Sequence, residues 1–148
     1  MAALRSTICV IPPYRLFDHT ADLGVKVTGE TLKALFENAA VSLGDLLAEG
    51  TSEASAVTER WTISGMDLPD LMVNWLREIL YRWTGEGRLI DQAIIHDINE
   101  NALVAEVVLS PFDPSIHGIR HEIKAVTYHQ VSVVESQGMW TATAVFDL

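Results

Sequence analysis

The sequence predicts an α+β single domain: two amphipathic helices packed on a mostly antiparallel or mixed β-sheet. Two segments, residues 31–47 and the stretch that begins at Asp67, place apolar residues at three- and four-residue steps, the period of a helix with one buried face. From Arg88 onward the chain is rich in Val, Ile and Thr and is broken by short turn signals, the pattern of consecutive strands. The resulting order β-β-α-β-α-β-β-β-β puts helices on a sheet with hairpin connections. A chain of 148 residues with 49% apolar side chains is large enough for a single core and too hydrophobic for disorder.

Residues 1–13 read as a flexible leader, interrupted by Pro12-Pro13, and residues 14–148 as the domain. The leader lacks the apolar region of a signal peptide, and no apolar run reaches the ~18 residues a membrane helix needs. The expected setting is therefore cytoplasmic and reducing. A single cysteine, Cys9, excludes a disulfide scaffold. Residues 14–17 and 23–28 read as short strands around the polar turn Asp18-His19-Thr20-Ala21-Asp22. In the first helix Leu32, Leu35, Phe36, Ala39, Leu43, Leu46 and Leu47 share a face; Thr31 is placed to cap its start and Gly50 to stop it. Residues 50–57 read as a loop and 59–64 as a strand with Trp61 and Ile63 on one side. Asp67 caps the second helix, Pro69 sits harmlessly in its first turn, Trp75 and Trp83 serve as core anchors, and Gly85 and Gly87 end it. Strands follow over 89–98, 102–110, 123–135 and 140–148, with a tight turn at Asn99-Glu100-Asn101 and a loop over 111–120. The loop carries His117 and His121, whose spacing would need further ligands before it could hold zinc.

Twenty acids against 10 Lys and Arg give a net charge of −10. That balance argues against direct nucleic-acid binding, which depends on neutralising phosphates. It suits a hard cation or a basic protein partner. No P-loop, dinucleotide glycine pattern or nucleophile elbow is present. The last hairpin is more informative. With Gln137-Gly138 as a two-residue turn, Ser136 faces Met139 and Glu135 faces Trp140; an unbroken register then sets His129 opposite Phe146, Tyr128 opposite Asp147 and Thr127 opposite Leu148. The Asp147 carboxylate and the α-carboxylate of Leu148 would lie together, two anions that need a cation or donors between them. A hard-oxygen site for Ca2+ or Mg2+ accounts for this, and a solvated terminus is the alternative at this point. The Asp18–Asp22 turn is either a second cluster of cation ligands or a turn closed by local Asp hydrogen bonds.

Three segments together resemble the archease family: Phe17-Asp18-His19-Thr20-Ala21-Asp22-Leu23-Gly24, Lys124-Ala125-Val126-Thr127-Tyr128-His129 and Val145-Phe146-Asp147-Leu148. The match extends over the Leu35-Phe36-Glu37-Asn38-Ala39-Ala40 helix, the Asp67 helix and the Phe112-Asp113-Pro114 loop. The resemblance implies a small acidic α+β protein that is not itself an enzyme. It would activate the GTP-dependent RNA ligase of tRNA splicing, promoting ligase guanylylation and multiple turnover. It implies a divalent-metal site at Asp22, Asp147 and Leu148, for Ca2+ in the first instance and Mg2+ or Mn2+ as alternatives, with Asp18, His19 and His129 as supporting or partner-contact residues. The family often ends in Ile where this sequence has Leu148, a change that a backbone carboxylate ligand tolerates. Two other functions stay open: a chaperone-like modulator of a tRNA methyltransferase, and a metal-dependent phosphoester enzyme built on Asp22, His19 and Asp147.

Overall fold

The computed structural model describes residues 13–19, 22–50 and 55–148, with the side chains of Asp18 and His19 outside the description. Of the expected leader, residues 1–12 lie outside the described residues, as do Thr20 and Ala21 of the polar turn. In chain order the elements are β1 (Tyr14–His19), β2 (Asp22–Gly29), α1 (Leu32–Leu47), β3 (Ala48–Glu49), β4 (Val57–Ser64), α2 (Leu68–Glu86), β5 (Arg88–Ile98), β6 (Ala102–Pro111), β7 (Gly118–Ile119), β8 (Ala125–Ser136) and β9 (Met139–Asp147). The α+β class and both helices are as expected. The strands, however, divide among three sheets: β1-β2-β9-β8, β4-β6-β5 and the short pair β3-β7. Every ladder is antiparallel.

The helices pack against both larger sheets. α1 meets β2 and β9 of the four-stranded sheet and β5 of the three-stranded one, while α2 meets β8 on one side and β4 and β5 on the other. Their apolar stripes are wide enough for two walls: Leu35, Phe36, Ala39, Ala40, Leu43, Leu46 and Leu47 of α1 are all buried. Trp75 of α2 is fully buried between the layers; its Nε1–H donates to the Phe36 carbonyl at 2.9 Å and its ring meets Trp61 edge to face at 5.9 Å. Trp83 is only partly buried and packs edge-on to Phe112.

Helix boundaries follow local chemistry. Thr31 Oγ1 accepts the Ala34 N–H at 3.0 Å, and Asp67 Oδ1 accepts the Asp70 N–H at 2.9 Å. Gly87, at φ 65°, closes α2, with its N–H on the Trp83 carbonyl; Gly85 lies inside the helix rather than at its end. Gly50 does not stop α1. The chain leaves the helix at Ala48, which is already extended, because Ala48 and Glu49 pair with Ile119 and Gly118. Gly50 instead adopts φ 91°, where an added Cβ would run into the Ile116 carbonyl. The expected 111–120 loop therefore contains β7. His117 in that loop is 5% exposed, accepts the Asp113 N–H at Nδ1 (2.9 Å) and stacks on Phe112, so it is a packed structural histidine. Asn99 Oδ1 closes the β5–β6 turn by accepting from the Asn101 and Ala102 N–H groups. Among the described residues no helix is long and apolar enough to cross a membrane.

Candidate functional site

The β2–β9 ladder pairs Leu23 with Phe146 and Asp22 with Asp147. Side chains alternate across a strand, so the burial of Leu23 and Phe146 in the core turns the next pair, Asp22 and Asp147, to the outer face. β1 continues this row with His19 opposite Asp22, and β8 continues it with Ala125 opposite Asp147. One row thus crosses the whole four-stranded sheet: His19, Asp22, Asp147, Ala125. The Lys124 N–H donates to the Asp147 carbonyl at 2.8 Å, which holds the end of β9 from the β8 side. Asp18 and His19, expected in a turn, are the last two residues of β1, Asp18 paired with Leu23.

Directly opposed residues of an antiparallel pair have Cβ atoms about 4.5–5.5 Å apart, and like charges there repel. The chemistry of the pair is that of hard oxygen donors, which fits Ca2+, Mg2+ or Mn2+. Two carboxylates alone do not complete a coordination shell. Among the described residues there is no cluster of three or more His, Cys, Asp or Glu side chains that could hold a metal ion. Leu148 follows directly on β9 and is 41% exposed.

The expected register of the last hairpin holds at its turn and fails toward Asp147. Ser136 faces Met139, Glu135 faces Trp140, and pairing is regular as far as Ser132 opposite Thr143. The next recorded pair is Thr127 opposite Val145, so β8 advances five residues while β9 advances two. Three extra residues bulge out, with Gln130 at φ 54°. His129 is therefore not opposite Phe146, Tyr128 is not opposite Asp147, and Thr127 is not opposite Leu148. Burial decides this. An unbroken ladder would give Val126 the outward parity of Asp147 and leave Thr127 and His129 facing the core. An odd number of inserted residues restores Val126 to the inside, opposite Phe146, where both are buried.

The bulge is tied down by Thr127 of β8 itself and by side chains of α2. Thr127 Oγ1 donates to the Val145 carbonyl at 2.9 Å and accepts the His129 N–H at 3.2 Å. Tyr128 donates its hydroxyl to Asp70 Oδ1 at 2.7 Å. Arg77 reaches the Val126 carbonyl through Nε and Nη2, both at 3.2 Å, with its guanidinium 4.8 Å from the Tyr128 ring centre. The hydrogen bond from Tyr128 and the Met66 N–H hold the Asp70 carboxyl below its ordinary pKa; the same bond to Asp70 raises that of Tyr128. That Asp70 and Arg77 of α2 meet β8 is decided by the tertiary structure, since the two elements lie far apart in the chain.

Residues 14–148 match the model of the Archease protein family. The chain is 32% identical over 140 residues to the protein archease of Methanosarcina mazei, covering 91% of this chain and 95% of that one. It is 32% identical over 139 residues to the protein archease of Methanopyrus kandleri, covering 92% and 99%. Its fold is similar to the solution structure of Methanobacterium thermoautotrophicum protein 1598 (TM-score 0.70, 24% identity, 93% of this chain and 100% of that one). It is also similar to the crystal structure of an archease, described as a possible chaperone, from Thermotoga maritima (TM-score 0.58, 18% identity, 89% and 94%). With the family match running from the first residue of β1 through the Asp147 row, the chain belongs to the Archease protein family.

Proposed function

We propose that this chain is a non-catalytic activator of the GTP-dependent RNA ligase of tRNA splicing, acting through a divalent-cation site at Asp22, Asp147 and Leu148. The observation that supports the reading most is the pairing of Asp22 with Asp147 across β2 and β9. The two carboxylates supply hard anionic oxygens at the end of the sheet, on the face away from the core, where Asp147 is exposed. Leu148 completes the set carried over from the family resemblance, and Asp18, His19 and His129 are assigned to its surroundings or to partner contact. A bound Ca2+, or Mg2+ or Mn2+ in its place, would supply neutralisation of phosphate charge during nucleotidyl transfer. The excess of acids, net −10, favours docking on a basic RNA-binding enzyme in the cytoplasm through complementary potential.

The test is ligase guanylylation in the presence of the wild-type protein, Asp22→Ala or Asp147→Ala. Loss of stimulation in both variants is expected; stimulation equal to wild type refutes the site. One residue added after Leu148 is expected to impair stimulation as well. A second reading, a chaperone-like partner of a tRNA methyltransferase, takes its support from the description of the Thermotoga maritima archease as a possible chaperone. Co-purification with a methyltransferase and with no RNA ligase would favour it.

A further inference from the structure

β8 is an edge strand of its sheet, and its register with β9 is interrupted between Thr127 and Ser132 by three extra residues. In this protein the excursion is fixed from two sides. Thr127 ties its start to β9, and the first turns of α2 tie it through Asp70 and Arg77. Little of this serves the core. Tyr128 is 50% exposed, and Asp70 accepts at the protein surface. What the contacts do fix is a place. Thr127 lies in the same-face row next to that of Asp147, about 7 Å along the strand, and its hydroxyl carries the His129 N–H. Holding Thr127 and Tyr128, the two residues just before it, sets where the backbone at His129 leaves the ladder, starting from the row next to that of Asp22 and Asp147.

We propose that Tyr128, Asp70 and Arg77 are positioning residues: they brace the β8 bulge so that His129 is presented next to the paired carboxylates. The inference rests on the activator reading above and adds to it how the neighbouring histidine is placed. Asp70 has a double task. One carboxylate oxygen holds the Met66 N–H ahead of α2 and the other takes the Tyr128 hydroxyl, so the start of the helix and the bulge move as one unit. Tyr128→Phe is the clean perturbation, because it removes only the hydroxyl and leaves the ring under Arg77.

Amide hydrogen exchange at residues 128–131 should rise about tenfold in Tyr128→Phe, with exchange in α2 and β9 unchanged. Cation affinity should stay within about twofold of wild type, and ligase stimulation should fall about tenfold. In a His129→Ala background, Tyr128→Phe should cause no further loss, since the brace acts through His129. Exchange at 128–131 within about twofold of wild type overturns the brace. Faster exchange with full stimulation, or an undiminished further loss in the His129→Ala background, overturns the positioning role. If wild-type protein and Asp22→Ala stimulate the ligase equally, the cation site fails instead; if neither stimulates it, the activator reading fails, and in both cases the exchange measurement alone decides the brace.

Discussion

Replacing Asp22 by Asn tests the electrostatics of the candidate site through stability alone, and its sign should depend on the cation. Asp22 and Asp147 are opposed across β2 and β9, and Asp147 is exposed. Two unit charges about 5 Å apart repel by about 0.8 kcal/mol in a water-like medium and by about 3 kcal/mol at an effective dielectric of 20. With Asp147 exposed to solvent the lower end applies, so removing one charge should stabilise the cation-free protein by about 1 kcal/mol. For a domain of this size that corresponds to a rise in Tm of about 3 °C. A cation that binds the folded state reverses the order: at a hundredfold excess over its Kd it stabilises the wild type by about 2.7 kcal/mol, and the Asn variant, one anionic ligand short, by less. The assay is thermal unfolding followed by circular dichroism, in EDTA and in a titration with Ca2+, Mg2+ or Mn2+. In about 1 M NaCl, where the screening length falls to about 3 Å, the difference in EDTA should vanish. A variant less stable than wild type in EDTA at low salt refutes the repulsion argument. A wild-type Tm unmoved by any of the three cations refutes the site.

Trp75→Ala should cost about 4 kcal/mol, since it empties a fully buried volume and removes the indole hydrogen bond to the Phe36 carbonyl; the urea midpoint measures it. Gly87→Ala should cost about 1 kcal/mol, because nothing crowds the new Cβ and the whole penalty comes from φ 65° at the end of α2; a smaller loss in chemical denaturation would count against that accounting. Burial, and then the bond to Asp45, push the Tyr14 hydroxyl from 10.0 up to about 12. The unfolded chain therefore gives up this proton first as pH rises. Stability should fall between about pH 10 and 12, and the Tyr14→Phe protein should lack that part of the decline when the two are unfolded in parallel across this range.

Much of the local structure was legible because its causes are local. Thr31 and Asp67 are cap residues by the chemistry of their side chains, and the three- and four-residue spacing of Leu35, Phe36, Ala39 and Leu43 defines a buried helix face by itself. Gln137-Gly138 forms the expected two-residue turn, both residues with positive φ, and the pairs nearest it follow. Gly50 was misread because helix termination looks the same in sequence whether a glycine or a strand pairing ends the helix; the partner, β7, lies far along the chain. The register beyond Ser132 was misread for a related reason. A turn propagates pairing outward only until another constraint intervenes, and here the burial of Val126 against Phe146 forces three residues out of the ladder.

For the candidate site, the sequence by itself determined which groups are present: a family motif carrying Asp18, His19 and Asp22, a second carrying Thr127, Tyr128 and His129, and Asp147 with Leu148 after it. Residue type and short-range periodicity are properties of neighbours in the chain, so they can be read there. Only the tertiary structure decided that Asp22 stands opposite Asp147, that Ala125 rather than Tyr128 completes the row, and that α2 reaches Tyr128 through Asp70 and Arg77. Those choices depend on which apolar residues of distant strands share one core, and a change of one residue in register turns every side chain to the other face.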